Sequence, residues 1–420
     1  MQSLKSKNYE RYKKIKNGLN IQYKGYNLQP LIARDISVIQ FYKKLPKIKS
    51  IVRFFIVHKE NNFKQICNSD MYLFSLPYFK RKDHEALVNS VYEEVKGSKM
   101  LYEHSRKWVI RINLNHIFKS FTEIVQIANL LSFKEIIYYW ASICYYKNYL
   151  SELERNHLAP IKIKAFIGFN SSTTPDSIWT VFFNKYDVPT YSLQHGLYLD
   201  FKDFIGGAIT NYENLTANKL LCWGNKTLQA MEEFGIDSSR LIVAGHPKYK
   251  KVESSIIKQS FKNGIVLLGA VVYDSGNELL LRLLSEYQNK YNTKFTIKMH
   301  PRLSSSKYES LCKKLNLHLI DKDALIKDII ASDAYDFTIA YNTTSYYESL
   351  VFGLLSLRYS FNENSELYGL TDKFESISDL QTIISEFKKK KQFDLQREVH
   401  HVLEEVFNIG KSRYGEIFPN

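Results

Sequence analysis

Short apolar runs alternate with longer amphipathic stretches through most of the chain after residue 160. Residues 164–170 form an apolar run that predicts a strand, and the Ser-Thr-Pro loop after it ends that strand. Residues 176–186 place apolar positions at helical spacing, and residues 188–194 predict the next strand. Strands that alternate with helices in this way are typical of α/β proteins with parallel sheets.

The alternation continues to residue 352, and a lysine- and serine-rich connector near residues 248–263 interrupts it. Further strands are predicted at residues 220–224, 240–244, 264–268, 294–299, 317–320 and 336–340. Further helices are predicted at residues 226–234, 278–291, 305–315, 324–331 and 346–352. We therefore predict two doubly wound, Rossmann-like α/β domains, residues 1–255 and 256–420, facing a central cleft. Whether the last helix packs back on the N-terminal domain is left open.

The first 150 residues show a less regular pattern. Residues 51–57 are a continuous apolar run, IVRFFIV, which predicts a buried strand. Residues 127–146 are the most apolar long stretch, but Lys134 and Glu135 interrupt it. This stretch therefore predicts an amphipathic or core helix instead of a membrane span.

Composition narrows the class of protein. A chain of 420 residues, 45% of them hydrophobic, can bury a core in each of two domains. Its four cysteines are scattered, which favours reduced, buried thiols over disulfides or a zinc site. Residues 1–20 are polar and lysine-rich, without the apolar core of a secretory signal. Together these features predict a cytoplasmic protein.

The chain is strongly basic, with 58 lysines and arginines against 43 aspartates and glutamates, a net charge of +15. This surplus favours an anionic partner, either nucleotide phosphates or the anionic inner face of the plasma membrane. Lysine clusters near residues 43–49 and 388–391 carry much of it, and a solvated surface without a partner is the other interpretation. No nucleic-acid-binding motif accompanies the charge, so we expect no nucleic acid partner.

The tripeptide His300-Pro301-Arg302 follows a predicted strand. Proline cannot continue a strand ladder, so the strand must end there and His300 must lie at its carboxyl end. An imidazole N–H and a guanidinium at such an edge suit the phosphates of a nucleotide. A turn that happens to contain a histidine is the alternative.

The hydroxyl residues Thr343, Thr344 and Ser345 lie between a predicted strand and a predicted helix. Hydroxyls and free backbone N–H groups at a helix start form a natural phosphate site. The spacing from Ser345 to Glu348 also predicts a capping box, in which Glu348 accepts from the Ser345 backbone N–H. Alternatively, Glu348 binds the hydroxyls of a ribose.

The tripeptide Gln194-His195-Gly196 ends a strand of the first predicted domain. A histidine there, followed by a glycine that permits close backbone approach, is a candidate general base; a buried, hydrogen-bonded histidine is the alternative. Asp187 and Asp200 flank this strand and are candidates to orient the imidazole or to act as the base. His246, in a Gly-His-Pro segment before the connector, predicts a structural turn.

Four segments taken together resemble bacterial surface-polysaccharide transferases of the GT-B type. They are QHG at residues 194–196, AGHPKY at 244–249, KMHPR at 298–302 and NTTSYYESLVFG at 342–353. The group includes capsular sialyl- and Kdo-transferases and the CDP-glycerol glycerophosphotransferases of teichoic acid synthesis. The resemblance covers residues 160–360, whereas the first 150 residues match no family that we can place.

The resemblance implies roles for individual residues. In bacterial sialyltransferases a His-Pro pair and a later Ser/Thr pair bind the CMP part of the donor, which implies nucleotide contacts for His300 and Pro301 and phosphate contacts for residues 343–345. Those enzymes also carry an acidic D/E-D/E-G motif in the first domain, which this sequence lacks. The teichoic acid polymerases have a His-Gly pair in the corresponding region, and His195 with Gly196 matches it.

The resemblance also implies an activity. An N-terminal domain would hold an oligosaccharide or lipid-linked glycan acceptor, and a C-terminal domain would hold a sugar activated by CMP, CDP or UDP. We expect an inverting transferase without a metal or other cofactor, building a capsule, lipopolysaccharide or teichoic-type glycan in the cytoplasm or peripherally at the inner face of the plasma membrane. Two alternatives stay open: a UDP-sugar 2-epimerase of the same fold, and a noncatalytic glycan-binding subunit of a capsule assembly complex.

Overall fold

The computed structural model describes residues 2–42, 48–59, 70–75, 82–101, 108–110, 112–155, 161–197, 213–252, 256–321, 324, 326–361 and 367–419. Within these ranges the helices are α1 Gln2–Gly18, α2 Gln29–Tyr42, α3 Ile48–Ile56, α4 Lys82–Glu94, α5 Leu114–Val125, α6 Phe133–Arg155, α7 Asp176–Lys185, α8 Asn225–Glu233, α9 Asp274–Tyr291, α10 Ser305–Lys314, α11 Ile326–Ala331, α12 Ser345–Val351, α13 Ile377–Lys389, α14 Gln392–Phe407 and α15 Tyr414–Ile417. The strands are β1 Gln22–Tyr23, β2 Tyr26–Asn27, β3 Val57–Lys59, β4 Tyr72–Ser75, β5 Ser98–Leu101, β6 Trp108–Ile110, β7 Ala165–Gly168, β8 Thr190–Leu193, β9 Lys219–Cys222, β10 Leu241–Val243, β11 Asn263–Leu267, β12 Lys294–Lys298, β13 His318–Leu319, β14 Phe337–Ala340, β15 Leu355–Tyr359 and β16 Lys373–Phe374.

Two six-stranded sheets organise the described chain. The first has the order β5–β4–β7–β8–β9–β10, and the second has the order β13–β12–β11–β14–β15–β16. All neighbouring strands in both sheets run parallel. Each sheet grows first to one side and then to the other, as in doubly wound folds. The predicted α/β class, with two doubly wound Rossmann-like domains, is confirmed.

The first sheet is buried on both faces. Successive side chains of a strand point to opposite faces, and Leu73 and Phe166 accordingly join a cluster with residues of α1, α2, α6 and α7. Tyr72, Phe74 and Ile167 join the cluster on the other face. Burial of both faces explains why these strands are nearly continuous apolar runs in the sequence.

The apolar run at residues 51–57 is wrongly predicted as a strand. Residues up to Ile56 belong to α3, and a strand begins only at Val57. The helix packs along α6 and leaves Val52 and Arg53 exposed on its other side. A short continuous apolar run does not distinguish helix from strand by its period, and here packing on α6 favours the helix.

The apolar stretch at residues 127–146 lies mostly in α6, which is a core helix. The helix packs against α2, α3, α5 and α7. Near its start Glu135 accepts two hydrogen bonds from the Arg11 guanidinium, at 2.9 and 2.8 Å, so this acidic group is neutralised inside the fold. In the described part of the chain, no helix is long and apolar enough to cross a membrane.

The described cysteines are buried free thiols. Cys144, Cys222 and Cys312 form no disulfide, and burial raises the pKa of each thiol, to about 11, 12 and 11 respectively. Thiols with raised pKa values stay protonated and unreactive near neutral pH. Cys67 lies outside the described residues.

The C-terminal segment lies on the first sheet. The ring of Phe418 packs 5.4 Å from that of Tyr72 and 4.8 Å from that of Tyr191, centroid to centroid. The Tyr72 hydroxyl donates a 2.6 Å hydrogen bond to the Pro419 carbonyl. The predicted boundary between residues 255 and 256 stays a prediction, because residues 253–255 lie outside the described ranges.

Candidate functional site

The second sheet has the strand order of a Rossmann domain. Numbered within the sheet, its strands run 3-2-1-4-5-6, so the direction of growth switches between β11 and β14. Open α/β sheets bind their ligands at the carboxyl ends of the strands beside such a switch point. His300 follows β12 on one side of β11, and Thr343–Ser345 follows β14 on the other. The second domain thus brings these sequence-predicted residues to one edge, about 10 Å apart across two strand spacings.

His300 lies in a tight turn after β12. Its carbonyl accepts from Leu303 N at 3.0 Å, and its ring Nδ1 accepts from Arg302 N at 3.2 Å. An imidazole that accepts at Nδ1 carries its proton on Nε2 when neutral. The ring is half-buried, whereas Pro301 and Arg302 are exposed. The turn therefore presents an Nε2–H donor next to a solvent-accessible guanidinium.

The hydroxyl segment is arranged differently from the predicted capping box. Helix α12 begins at Ser345, and its N-cap residue Thr344 makes no side-chain cap hydrogen bond. Ser345 N instead donates to Thr343 Oγ1 at 3.4 Å. The predicted capping box between Ser345 and Glu348 is therefore wrong, because Ser345 is already inside the helix. The side chains of residues 343–345 are half-buried at the edge of the sheet.

Glu348 instead contacts the segment between the two sheets. Its carboxylate accepts a hydrogen bond from the Tyr249 hydroxyl. Burial, and then the negative charge of Glu348, raise the pKa of Tyr249 far above its usual value. A carboxylate has further lone pairs beyond this bond, so the contact is compatible with a ligand hydroxyl at the same group.

The sequence analysis assigned no role to the turn after β11, which lies at the switch point. Gly269 donates through its N–H to Asn277 Oδ1 at 2.9 Å and accepts at its carbonyl from Asn277 Nδ2 at 3.0 Å. A Cβ at Gly269 would lie 2.7 Å from the Tyr341 carbonyl oxygen, and one at Gly276 would lie 2.0 Å from the Tyr341 hydroxyl. Glycine at both positions leaves room for Tyr341, whose carbonyl lies against the turn after β11 and whose ring lies against the first turn of α9. In the sequence, the glycine in the turn after the first strand of this sheet was the signal from which the turn could have been predicted.

The first sheet has its own switch point between β4 and β7. Ser75, the last residue of β4, and Phe169, the residue after β7, lie at the carboxyl ends there. The Ser75 Oγ accepts from Phe169 N at 3.2 Å and ties these two strand ends together. His195 follows the neighbouring strand β8, so it lies at this edge as the sequence predicts.

The tripeptide around His195 is held rigidly by its neighbours. The buried Gln194 side chain donates to Gly196 O at 2.9 Å and accepts from Trp223 N at 2.7 Å. Asn170 Nδ2 lies 3.4 Å from His195 Nε2. Because Asn170 Oδ1 accepts from Ser172 N at 3.1 Å, the amide nitrogen of Asn170 faces the imidazole. His195 Nε2 is therefore an acceptor, and this nitrogen carries the lone pair that makes the ring basic.

A second histidine, His84, lies beside His195 and was not singled out in the sequence. It belongs to the first turn of α4, which follows the switch-point strand β4. Its ring lies 4.8 Å from that of Phe169 and 6.2 Å from that of His195, centroid to centroid. The Phe169 ring packs 5.4 Å from His195. No sequence motif surrounds His84, so tertiary structure alone brings it to the site.

Of the two aspartates considered as partners of His195, the structure describes Asp187 and does not support it. Asp187 is exposed in the turn before β8, at the amino end of the strand, whereas His195 lies beyond its carboxyl end. Eight residues of extended chain span about 26 Å, so Asp187 neither orients the imidazole nor replaces it as base. Asp200 lies outside the described residues.

His246 has the structural role predicted for it. Its ring Nδ1 accepts from Lys248 N at 3.1 Å and from Tyr249 N at 3.3 Å. Its backbone N–H donates to Phe407 O at 2.8 Å, and its ring packs 4.3 Å from Trp223. Burial, and then the charge of Lys248, lower the pKa of the imidazole well below its usual value. His246 is therefore a neutral side chain that connects the end of the first sheet to α14.

The described residues include no group of three or more His, Cys, Asp or Glu side chains placed to hold a metal ion.

Comparison with known proteins gives similarity of fold. No protein-family model and no curated protein sequence matches the chain. The lipopolysaccharide outer core galactosyltransferase WaaB, in its apo form, is similar with 10% identity, a TM-score of 0.47 and coverage of 83% of this chain and 99% of that chain. The UDP-GlcNAc 2-epimerase of Methanocaldococcus jannaschii is similar with 11% identity, a TM-score of 0.47 and coverage of 83% and 98%. The glycotransferase of kitacinnamycin follows with 10% identity, a TM-score of 0.46 and coverage of 83% and 97%. The structural neighbours thus include glycosyltransferases and epimerases, and at such identities they define neither activity nor substrate.

Proposed function

We propose that the chain is a GT-B glycosyltransferase that moves a sugar from a CMP-, CDP- or UDP-linked donor to a capsule, lipopolysaccharide or teichoic-type glycan. One observation carries this proposal: His300 and the Thr343–Ser345 hydroxyls flank the switch point of a sheet with Rossmann strand order. Such edges hold nucleotides in doubly wound folds. The similarity of the four sequence segments to capsular and teichoic acid transferases supports the same assignment.

On the donor side, protein groups stabilise the departing nucleotide. His300 donates from Nε2, and the exposed Arg302 guanidinium supplies a positive charge that matches a phosphate. The Thr343, Thr344 and Ser345 hydroxyls donate to the phosphate from the other side of β11. Pro301 ends the strand and fixes the turn, and Glu348 accepts from a ribose hydroxyl beside its bond to Tyr249. These donors stabilise the negative charge that develops as the sugar–phosphate bond breaks.

On the acceptor side, His195 acts as the general base. The acceptor hydroxyl replaces the Asn170 amide N–H at His195 Nε2, whose lone pair takes the hydroxyl proton, and the oxygen forms a new bond to the anomeric carbon from the face opposite the phosphate. The sugar–phosphate bond breaks, the nucleotide leaves with the electron pair, and the configuration inverts. In this scheme the N-terminal domain, residues 1–255, holds the acceptor, and the C-terminal domain, residues 256–420, holds the donor. Closure of the cleft between them excludes water.

The surplus of positive charge supports a proposal for where in the cell the enzyme acts. A net charge of +15 favours association with the anionic inner face of the plasma membrane, where lipid-linked acceptors are presented. We therefore place the enzyme in the cytoplasm, bound peripherally at that face.

A thermal-shift screen with CMP, CDP, UDP and GDP tests the nucleotide site. A ligand at 100 times its dissociation constant stabilises the native state by about 2.7 kcal/mol. We expect one pyrimidine nucleotide to raise the Tm by several degrees, and the same nucleotide concentration to stabilise the His300→Ala variant by about half as much or less. A chain that none of the four stabilises lacks the proposed site.

Product analysis then distinguishes the three candidate activities. A transferase releases free nucleotide from its donor in proportion to glycosylated acceptor. An epimerase converts UDP-GlcNAc into its 2-epimer without any acceptor, and a noncatalytic glycan-binding subunit leaves the donor intact while binding the glycan. Epimer formation without transfer would overturn the proposal.

A further inference from the structure

Helix α5 turns a row of large apolar side chains to solvent. Their exposed fractions are 62% for Leu114, 66% for Phe118, 42% for Phe121 and 51% for Val125. Spacings of four, three and four residues place them in one line along the helix, about 16 Å long at 1.5 Å per residue. We call these four residues the apolar stripe.

The apolar stripe belongs to a larger exposed surface. Eight of the twelve exposed large hydrophobic residues in the described chain are Val52 or lie between residues 112 and 133. Phe133, just beyond α5 at the start of α6, is 76% exposed. The Trp140 ring packs 5.1 Å from Phe121 of α5 and 4.8 Å from Phe55 of α3. Soluble proteins rarely concentrate exposed apolar side chains in this way unless the surface has a partner.

The helix that carries the stripe is firmly held from behind. His116, on its buried face, contacts the Tyr23 hydroxyl at 2.9 Å and Asn148 Oδ1 at 2.7 Å. Asn113 caps the helix by accepting from His116 N at 3.2 Å, and Trp140 Nε1 donates to Ile117 O at 2.8 Å. The stripe is therefore exposed on an anchored helix and not on a frayed one.

The charges around the stripe favour an anionic partner. Glu123, the one acidic residue of α5, is paired with Lys147 at 2.6 Å. Lys119 on the same helix, Lys134 at the start of α6 and Arg53 on α3 are all exposed. This surface therefore presents positive charges to solvent, and the acidic residue of α5 does not offset them because it is paired with Lys147.

We propose that the apolar stripe docks α5 flat on an anionic lipid bilayer. Apolar side chains on one face of a helix, flanked by basic residues, are the features of helices that lie in the membrane interface. The phenyl and leucyl side chains enter the boundary of the acyl chains, and Lys119 reaches the lipid phosphates. A second copy of the chain fits this surface less well, because each copy carries a net charge of +15. The inference rests on the proposed function in one respect, that a lipid-linked acceptor gives the enzyme a reason to be at a membrane.

Vesicle flotation tests the stripe with matched variants of the full chain. The probes are vesicles of phosphatidylcholine alone and of phosphatidylcholine with phosphatidylglycerol. Phe118→Glu should weaken partitioning onto the anionic vesicles by about tenfold or more. Phe393→Glu is the control, because Phe393 is 71% exposed on α14, away from the stripe. Lys119→Glu should lower partitioning about fivefold, whereas Lys314→Glu, on exposed Lys314 of α10, should change it less.

Three results would overturn the inference. Wild-type chain that fails to float with anionic vesicles has no such surface, and Phe118→Glu that floats like wild type places the contact elsewhere. A concentration-dependent dimer in light scattering that Phe118→Glu dissociates, without any effect on flotation, makes a second copy the occupant. Equal Tm values for wild type and variants show that each variant is folded. Nucleotide affinity is not involved in flotation, so failure here leaves the proposed transferase function to be judged by the thermal-shift screen.

Discussion

The Tyr249 hydroxyl donates a hydrogen bond to the Glu348 carboxylate, which joins the segment after the first sheet to the helix after the Thr343–Ser345 hydroxyls. The Tyr249 ring also stacks on Phe407, with centroids 5.6 Å apart and an interplanar angle of 20°. One residue thus contacts both the candidate donor site and α14. A substitution at Glu348 can therefore act through a ligand or through this junction.

Two conservative variants separate these roles of Glu348. Tyr249→Phe keeps the ring and removes the hydrogen bond, so it should lower the free energy of unfolding by about 1 kcal/mol and leave nucleotide affinity unchanged. Glu348→Gln keeps an acceptor for Tyr249 but removes the charge, and it should weaken nucleotide binding about tenfold. Chemical denaturation and calorimetry on both variants measure the two effects. If Glu348→Gln lowers only the free energy of unfolding and leaves nucleotide affinity unchanged, Glu348 is not part of the nucleotide site.

His300→Ala should weaken nucleotide binding by about tenfold to a hundredfold, because a donor to a charged phosphate is lost. The fold should stay intact, since the ring is only half-buried at the end of a strand and its contact with Arg302 N is local to the turn. His318→Ala is the matched control, because His318 is exposed on β13, the edge strand next to β12. Calorimetric affinities that are equal for the two variants would remove His300 from the site.

Three variants of the hydroxyl segment distinguish phosphate binding from helix capping. The sequence alone predicts that Ser345→Ala costs about 1 kcal/mol of stability as a lost cap. In the structure Thr343 Oγ1 accepts from Ser345 N, so Thr343→Val should carry the stability cost and Ser345→Ala should be nearly neutral. Thr344→Val should reduce nucleotide affinity, because Thr344 makes no side-chain cap hydrogen bond. Loss of stability alone in all three would place the phosphate elsewhere.

Much of the chain after residue 160 was predictable because its local signals agree with one another. The predicted strand at residues 294–299 is β12 Lys294–Lys298, and the predicted helix at residues 176–186 is α7 Asp176–Lys185. Parallel strands buried on both faces are continuous apolar runs, and Pro301 marks an end that no ladder can pass. The strand predicted at residues 51–57 was wrong because packing on α6 favours a helix there, and no local sequence pattern encodes that packing.

The site was predictable only where a strand end marks it. His195 and His300 each directly follow an apolar strand, so the sequence places both at carboxyl edges. His84 reaches Phe169 through tertiary contact between α4 and β7, and no spacing along the chain indicates it. At Ser345 the local pattern was misleading. The spacing from Ser345 to Glu348 fits a capping box, but the helix begins one residue earlier than that motif requires, so Ser345 is not the N-cap residue.

His246 should make stability depend on pH. Its pKa is lowered in the folded chain by burial and then by Lys248, so the unfolded chain binds a proton in a range where the folded chain does not. Its contribution to stability is therefore complete above the usual imidazole pKa of about 6.5 and is lost as pH falls below it, by up to about 1.4 kcal/mol per pH unit.

The variant His246→Gln tests this dependence. Glutamine offers an oxygen to the Lys248 and Tyr249 amides but does not titrate, so the stability difference between wild type and variant should shrink from pH 7 to pH 5. Urea denaturation at each pH measures it, with His318→Gln as a control for an exposed histidine. A difference that stays constant over this range would show that His246 does not titrate differently in the two states.

The acceptor-side prediction depends on which of two neighbouring histidines is the base. His195 and His84 both pack on Phe169, so removing either ring should cost stability through lost packing. A general base contributes roughly 10²–10⁴-fold to the rate. His195→Ala should therefore lose transfer activity by that order, keep nucleotide affinity, and lose the acidic limb of the pH–rate profile.

His84→Ala serves as the packing control on the same ring. It should lower the Tm like His195→Ala but retain the rate at temperatures where both variants are folded. If His84→Ala loses the rate and the acidic limb while His195→Ala keeps them, the base is His84, whose position on α4 faces the same ring. If both variants retain the rate within a few-fold, the Asn170 contact at His195 Nε2 is structural, and the base must come from outside this pair. Rates, Tm values and nucleotide affinities measured on the same preparations separate these outcomes, because lost packing lowers the Tm of both variants, whereas only loss of the base lowers the rate of the folded protein.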